Sequence, residues 1–199
     1  ELLKTFADQA VIAIENVRLF TELEARNADL TETLEQQTAT SEILRVISKS
    51  PTDVQPVFDA IASATMKLFA GISANVFTFD GKLIHLAALV NVTPEGAAAI
   101  RNIWPRPPDR ELAASRAIMT CRAAAIADVL EDPDFAQRTS AVAGGFRSIL
   151  AVPLVRDGRP IGAIAVGRPQ PGRFSDNQIA LLETFADQAV IAIENVRLF

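Results

Sequence analysis

Few residues in this chain could do chemistry, and their neighbours argue against most of what they could do. His85 is the only histidine. It could act as a general base, a haem ligand or a phosphoacceptor, but it lies inside the apolar run Leu83-Ile84-His85-Leu86-Ala87-Ala88-Leu89, without the acidic and proline context of a phosphoacceptor. A serine–histidine–carboxylate relay needs that histidine beside a serine, and no Gly-x-Ser-x-Gly turn is present. No glycine-rich loop offers itself to a nucleotide phosphate. Cys121 is the only cysteine, so no internal disulfide and no cysteine-based zinc site can form. The residues therefore predict no catalytic group, no metal ligand and no enzyme activity, and a reducing compartment, by default the cytoplasm.

Bulk properties narrow the partners. The chain has 199 residues, 19 basic and 24 acidic side chains, a net charge of −5 and 49% hydrophobic residues. The charges are interspersed, so no basic stripe is available for a nucleic-acid backbone. No apolar run approaches the ~20 residues that cross a bilayer, which predicts no membrane contact. One globular core with a helical extension suits this length.

The elements that would position any site begin and end with a repeat. ELLKTFADQAVIAIENVRLF at 1–20 and ALLETFADQAVIAIENVRLF at 180–199 differ only at Glu1 versus Ala180 and Lys4 versus Glu183. Because polar positions match as well as apolar ones, duplication is the reasonable account. Residues 1–20 are thus expected to be the closing helix of a preceding domain. The C-terminal copy carries two apolar stripes. Leu182, Phe185, Ala189, Ala192, Val196 and Phe199 form one, and Ile179, Ala186, Val190 and Ile193 form the other. One stripe can cover a sheet while the other meets a second helix. Leu182, Phe185, Ala189, Ala192 and Val196 of the first stripe, with Leu3, Phe6, Ala10, Ala13, Val17 and Phe20 of the N-terminal copy, are assigned to a dimer seam, which continues through Leu23, Asn27, Leu30 and Leu34 in heptad register.

Residues 21–50 contain no proline or glycine and predict a coiled-coil linker helix continuous with the first copy. Two successive spacings of three at Phe20 to Leu23 form a stammer, predicting local overwinding. Pro51 opens the globular part, 51–199, with a helix over 54–70. ISANVFTF at 72–79 and KLIHLAAL at 82–89 predict a hairpin turned at Asp80-Gly81. Residues 91–120, with Trp104-Pro105 and Pro107-Pro108, predict an irregular cover holding two short helical stretches. A short strand at 123–129 and a polar helical segment near 132–143 follow. SILAVPLV at 148–155 and PIGAIAVG at 160–167 predict a second hairpin. Ser175 is placed to cap the final helix.

Residues 145–199, with Arg147-Ser148 leading into Val152-Pro153-Leu154, Gly162, Phe174-Ser175 and the closing Ala-Ile-Glu-Asn-x-Arg-Leu, closely resemble the second half of a GAF domain. IADVLEDPDF at 126–135 and the hairpin at 72–89 extend the resemblance over about 53–199. The preceding segment resembles the linker between tandem GAF domains of bacterial signalling proteins, most often sensor histidine kinases and sometimes nucleotide cyclases. The resemblance implies an α+β fold with an antiparallel sheet, terminal helices on one face and an irregular cover on the other. It also implies a homodimer paired through terminal and linker helices, with adjacent GAF and output domains in a parent chain.

The resemblance also sets the chemistry that such domains can carry against the residues present. Bilin-binding relatives use a cysteine placed later and commonly followed by His, whereas Cys121 precedes the Asp128 strand and is followed by Arg122. The family's methionine sulfoxide reductases rely on several cysteines. The cyclic-nucleotide signature, Asn-Lys…Phe…Asp-Glu, cannot be laid on Phe174-Ser175-Asp176-Asn177-Gln178. No cofactor is predicted, and any small-molecule ligand stays unidentified. Phe77, Phe79, Arg101, Trp104 and Asp128 are the pocket candidates, each of which also suits a core or capping role.

Overall fold

The computed structural model describes residues 54–69, 71–90 and 93–197, apart from the side chains of 192 and 195–197. In the N-terminal part it describes residues 9, 12, 14–27, 30, 31, 33, 34, 37, 38 and 41. The chain divides into two compact units, Glu1–Ala39 and Thr40–Phe199.

In the first unit the described residues are helical, and 14–27 run without interruption across the position of the stammer. Ion pairs one turn apart support this helix, Arg18 with Glu15 at 2.6 Å and Arg26 with Glu22 at 2.8 Å. Thr21 and Thr31 return their hydroxyls to the carbonyls of Val17 and Asn27. Val17, Phe20, Leu23, Leu30 and Leu34 are exposed within the chain. Leu3, Phe6, Ala10 and Ala13 of the expected seam lie outside the described residues, and so does the start of the globular part at Pro51.

The second unit runs α1 (Gln55–Leu68), β1 (Ser73–Phe79), β2 (Ile84–Val90), α2 (Pro94–Arg101), α3 (Ala113–Thr120), β3 (Ala124–Ile126), α4 (Arg138–Gly144), β4 (Ser148–Arg156), β5 (Arg159–Arg168) and α5 (Asp176–Arg197). The five strands form one antiparallel sheet in the order β2-β1-β5-β4-β3. The helix pair α1 and α5 packs on β1, β2 and β4, while α3 packs on β4 and β5, and α2 lies against α4. Side chains alternate between the two faces. Leu150, Val152, Ile164 and Val166 are fully buried toward the terminal helices, and Ile149, Ala151, Ala163 and Ala165 belong to the cluster under the cover. This is the expected α+β architecture.

Turn chemistry explains where the hairpins close. Asp157 and Gly158 adopt φ of 50° and 73°, a primed two-residue turn matching the right-handed strand twist. The Asp80-Gly81 hairpin is looser than expected. Asp80 Oδ1 accepts from the backbone N–H groups of Lys82 and Leu83, both at 2.8 Å, which withdraws those donors and delays β2 to Ile84. At the entry to α5, Ser175 and Gln178 form a reciprocal cap. Gln178 N–H donates to Ser175 Oγ at 3.2 Å and Ser175 N–H to Gln178 Oε1 at 3.0 Å.

The predicted seam needs one correction. Leu182, Phe185 and Ala189 are 0%, 3% and 0% exposed within a single chain, so they close this sheet and are unavailable to a partner helix. Ala186 and Val190 join them on the same buried face. The positions where the two repeat copies differ, Ala180 and Glu183, are exposed. Every position of α5 described as buried thus recurs unchanged at Leu3, Phe6, Ala7, Ala10 and Val11, which lie outside the described residues. The side chains of Ala192 and Val196 also lie outside them.

Candidate functional site beneath the cover

On the cover face of the sheet, large side chains at one end give way to small ones in the middle. Phe77 of β1 stands two residues after Asn75, whose antiparallel neighbour on β5 is Ala165. Alanine at 165 leaves space that a larger residue would fill. Helix α3 reaches this space with the small Ala113 and Ala114, and aromatic residues wall it from the cover, Trp104 after α2, Phe135 before α4 and Phe146 after it. The result is a cavity of about 40 Å³. Phe77 and Trp104 meet at 4.7 Å between ring centroids, tilted by 49°.

Polar atoms around this cavity are few and none is charged. Asn75 is 6% exposed, and no protein group donates to its Oδ1. Gln137 and Ser140, both partly exposed, line the α4 side. No Arg, Lys, Asp, Glu or His lines the cavity.

Charges instead fasten the cover from outside. Arg116 of α3 clasps Asp132 with two hydrogen bonds of 2.9 and 2.6 Å, and Arg138 donates to the Asp132 carbonyl at 2.9 Å. Arg147 pairs with Asp128, its Nε donating to Oδ1 at 3.0 Å, while Leu130 N–H donates to the same oxygen. Arg106 is held by Glu111 at 2.7 Å and by Asp109. The Arg116 and Arg147 guanidinium groups hold the Asp132 and Asp128 carboxyls below the usual carboxylate range. These bidentate pairs stitch the cover together and leave their cations engaged.

The expected site residues separate into three places. Phe77 and Trp104 line the cavity. Phe79 is half-buried against the same core without lining it. Arg101 is exposed and borders an outer groove of about 340 Å³ shared with Trp104, His85 and the edge strand β2. Asp128 is committed to Arg147. His85 pairs with Asp80 at 2.9 Å, which is one reason the Asp80 carboxyl falls to about 2, after the hydrogen bond from the Leu83 backbone. Cys121 is exposed at the left-handed end of α3. Asn75, Phe146 and Gln137 were missed by the sequence reading. For Asn75 a signal existed, since it interrupts Ile-Ser-Ala-Asn-Val-Phe in phase with Phe77.

No group of His, Cys, Asp and Glu among the described residues is placed to hold a metal ion. Among them, no helix is long and apolar enough to cross a membrane.

A search of curated proteins finds no match. The sequence model of the GAF domain matches residues 51–194. The chain belongs to the GAF family. Solved structures share the fold at low identity. The GAF domain of a phosphoenolpyruvate-protein phosphotransferase from Coxiella burnetii has a TM-score of 0.69 at 12% identity, covering 83% of this chain and 96% of that one. Free methionine-R-sulfoxide reductase from Neisseria meningitidis, in complex with its substrate, has a TM-score of 0.65 at 18% identity, covering 82% and 90%. A domain assigned to a two-component sensor histidine kinase of Sinorhizobium meliloti has a TM-score of 0.57 at 20% identity, covering 73% and 94%. The GAF fold therefore accounts for the sheet and the helices packed on it.

Proposed function

We propose that the chain is a non-catalytic sensory and relay module of a bacterial signalling protein, of the two-component sensor histidine kinase type, acting in the cytoplasm as a homodimer. One observation carries the reading: the cavity and the closing helix α5 use opposite faces of the same strands. Ile149 and Ala165 face the cavity, and their neighbours Leu150, Ile164 and Val166 are buried on the side that α1 and α5 cover. A change in the cavity therefore has one layer of strand to cross before it meets the helix that leads out of the domain.

The exposed apolar positions Phe20, Leu23, Leu30 and Leu34 support pairing of linker helices between two copies. The sensor-kinase assignment draws on the Sinorhizobium meliloti neighbour. A role beside a nucleotide cyclase or transcriptional regulator is the alternative, and the uncharged cavity disfavours a cyclic nucleotide as its ligand.

The test needs no ligand. Ala165→Val fills the cavity from the sheet without touching α5, and amide hydrogen exchange over residues 182–190 reads the helix. An altered exchange rate there supports relay through the sheet. Unchanged rates in a folded variant remove it.

A further inference from the structure

We infer that the cavity accepts a small uncharged molecule bearing a primary amide, paired with the side chain of Asn75. This rests on the regulatory reading above, because it names what fills the site that reading uses. Asn75 is more than nine-tenths buried and lines the chamber, and its Oδ1 lacks a protein donor. A buried amide oxygen left unpaired is unfavourable, and a hydrogen bond from an occupant recovers that loss.

An asparagine side chain presents an acceptor and two donors side by side, and a rotation exchanges them. A primary amide meets both faces at once, donating to the oxygen and accepting from the nitrogen. An alcohol satisfies one of them at a time, and a ketone cannot donate at all. Burial makes the difference count, because each polar atom of the occupant that goes unmatched there gives up hydration without return.

The walls set charge and size. No lining residue is ionised at neutral pH, and the nearby cations Arg106, Arg116 and Arg147 are already held by Glu111, Asp132 and Asp128. A carboxylate, phosphate or ammonium would lose its hydration and gain no counter-ion. The volume of about 40 Å³ holds roughly three water-sized groups, at ~10–15 Å³ each. That suits a short amide and excludes a nucleotide.

Three compounds of one skeleton test this: acetamide, acetone and acetate. The full chain is labelled with ¹⁵N, and the titration follows the indole N–H of Trp104, its only tryptophan, and the side-chain amide of Asn75. Acetamide is expected to shift both signals saturably, while acetone and acetate produce no saturable shift. Asn75→Leu should weaken acetamide binding about tenfold or more, as the loss of a buried hydrogen bond implies. Ala165→Val, with Asn75 intact, should abolish the response by filling the cavity, and it decides the matter if Asn75→Leu fails to fold. Saturable binding of acetate or acetone as tight as that of acetamide overturns the amide assignment, and so does an absent acetamide response. Either result leaves the α5 exchange test standing, since that test uses no ligand.

Discussion

Arg116 and Asp132 lie sixteen residues apart in sequence and face each other through two parallel hydrogen bonds, Nη1 to Oδ2 and Nη2 to Oδ1. Their side chains are 21% and 19% exposed, so the pair is shielded from much of the solvent that weakens surface ion pairs. Through it α3, which packs on the sheet, holds the loop that leads to Phe135 and α4.

The pair makes the domain acid-sensitive with a defined sign. Arg116 lowers the Asp132 pKa in the folded state, so the native protein binds fewer protons than the unfolded chain. The stabilisation is complete above the unfolded carboxylate value of about 3.9 and is lost as pH falls through the lower folded value. Asp132→Asn should lower stability at pH 7 by about 1–3 kcal/mol. In urea melts the gap between variant and wild type should narrow below about pH 4. A gap that is constant with pH would assign the loss to packing instead of charge.

Gly162 allows β5 to lie against β1. A Cβ built there would meet the Phe77 carbonyl oxygen at 2.1 Å and Leu154 Cδ1 at 3.1 Å, and the first contact is with backbone that cannot swing aside. Gly162→Ala should therefore destabilise by roughly 1–3 kcal/mol or more, as overpacking does. Thermal melts against Gly81→Ala, where a Cβ meets nothing within 4 Å, separate this crowding from the strain of a positive φ.

The buried face of α5 can be checked by truncation. Phe185 is 3% exposed and Ile191 is 50% exposed. Phe185→Ala should cost about 3–5 kcal/mol. Ile191→Ala should fall within about 0.5 kcal/mol of wild type. If Phe185 served a seam between copies, its loss would depend on protein concentration, so melts at two concentrations discriminate.

Single cysteines at Leu30 or Leu34, with Cys121→Ser as background, test linker pairing. Parallel helices in register place identical residues beside each other, and oxidation should give a covalent dimer from at least one of the two. No cross-link from either, in folded protein, contradicts a parallel seam.

Much of the fold was legible because local chemistry dictated it. The link at Asp157-Gly158 marked a hairpin, and Ser175 marked a helix start, to which the structure adds Gln178 as the reciprocal cap. Asp80-Gly81 misled by a few residues, since the Asp80 carboxylate captures backbone donors that spacing cannot reveal. The stripe of α5 was misassigned for a physical reason. Leu182, Phe185 and Ala189 form as regular a row as Ala186 and Val190, and periodicity cannot say which row is buried within the domain; here both are. The cavity was least legible, because no segment encodes it. It exists where Ala165, Ala113 and Ala114, drawn from different elements, leave a gap beneath Trp104 and Phe146.

The alternation along β5 separates two kinds of evolutionary freedom. A change in size at Ala165 reshapes what the chamber admits, while Ile164 and Val166, one position away, supply the buried contacts on the helix-bearing side. What the chamber admits and what the closing helix rests on are thus written at different positions of one strand, and related chains that differ in the first should differ at 165 before 164 or 166.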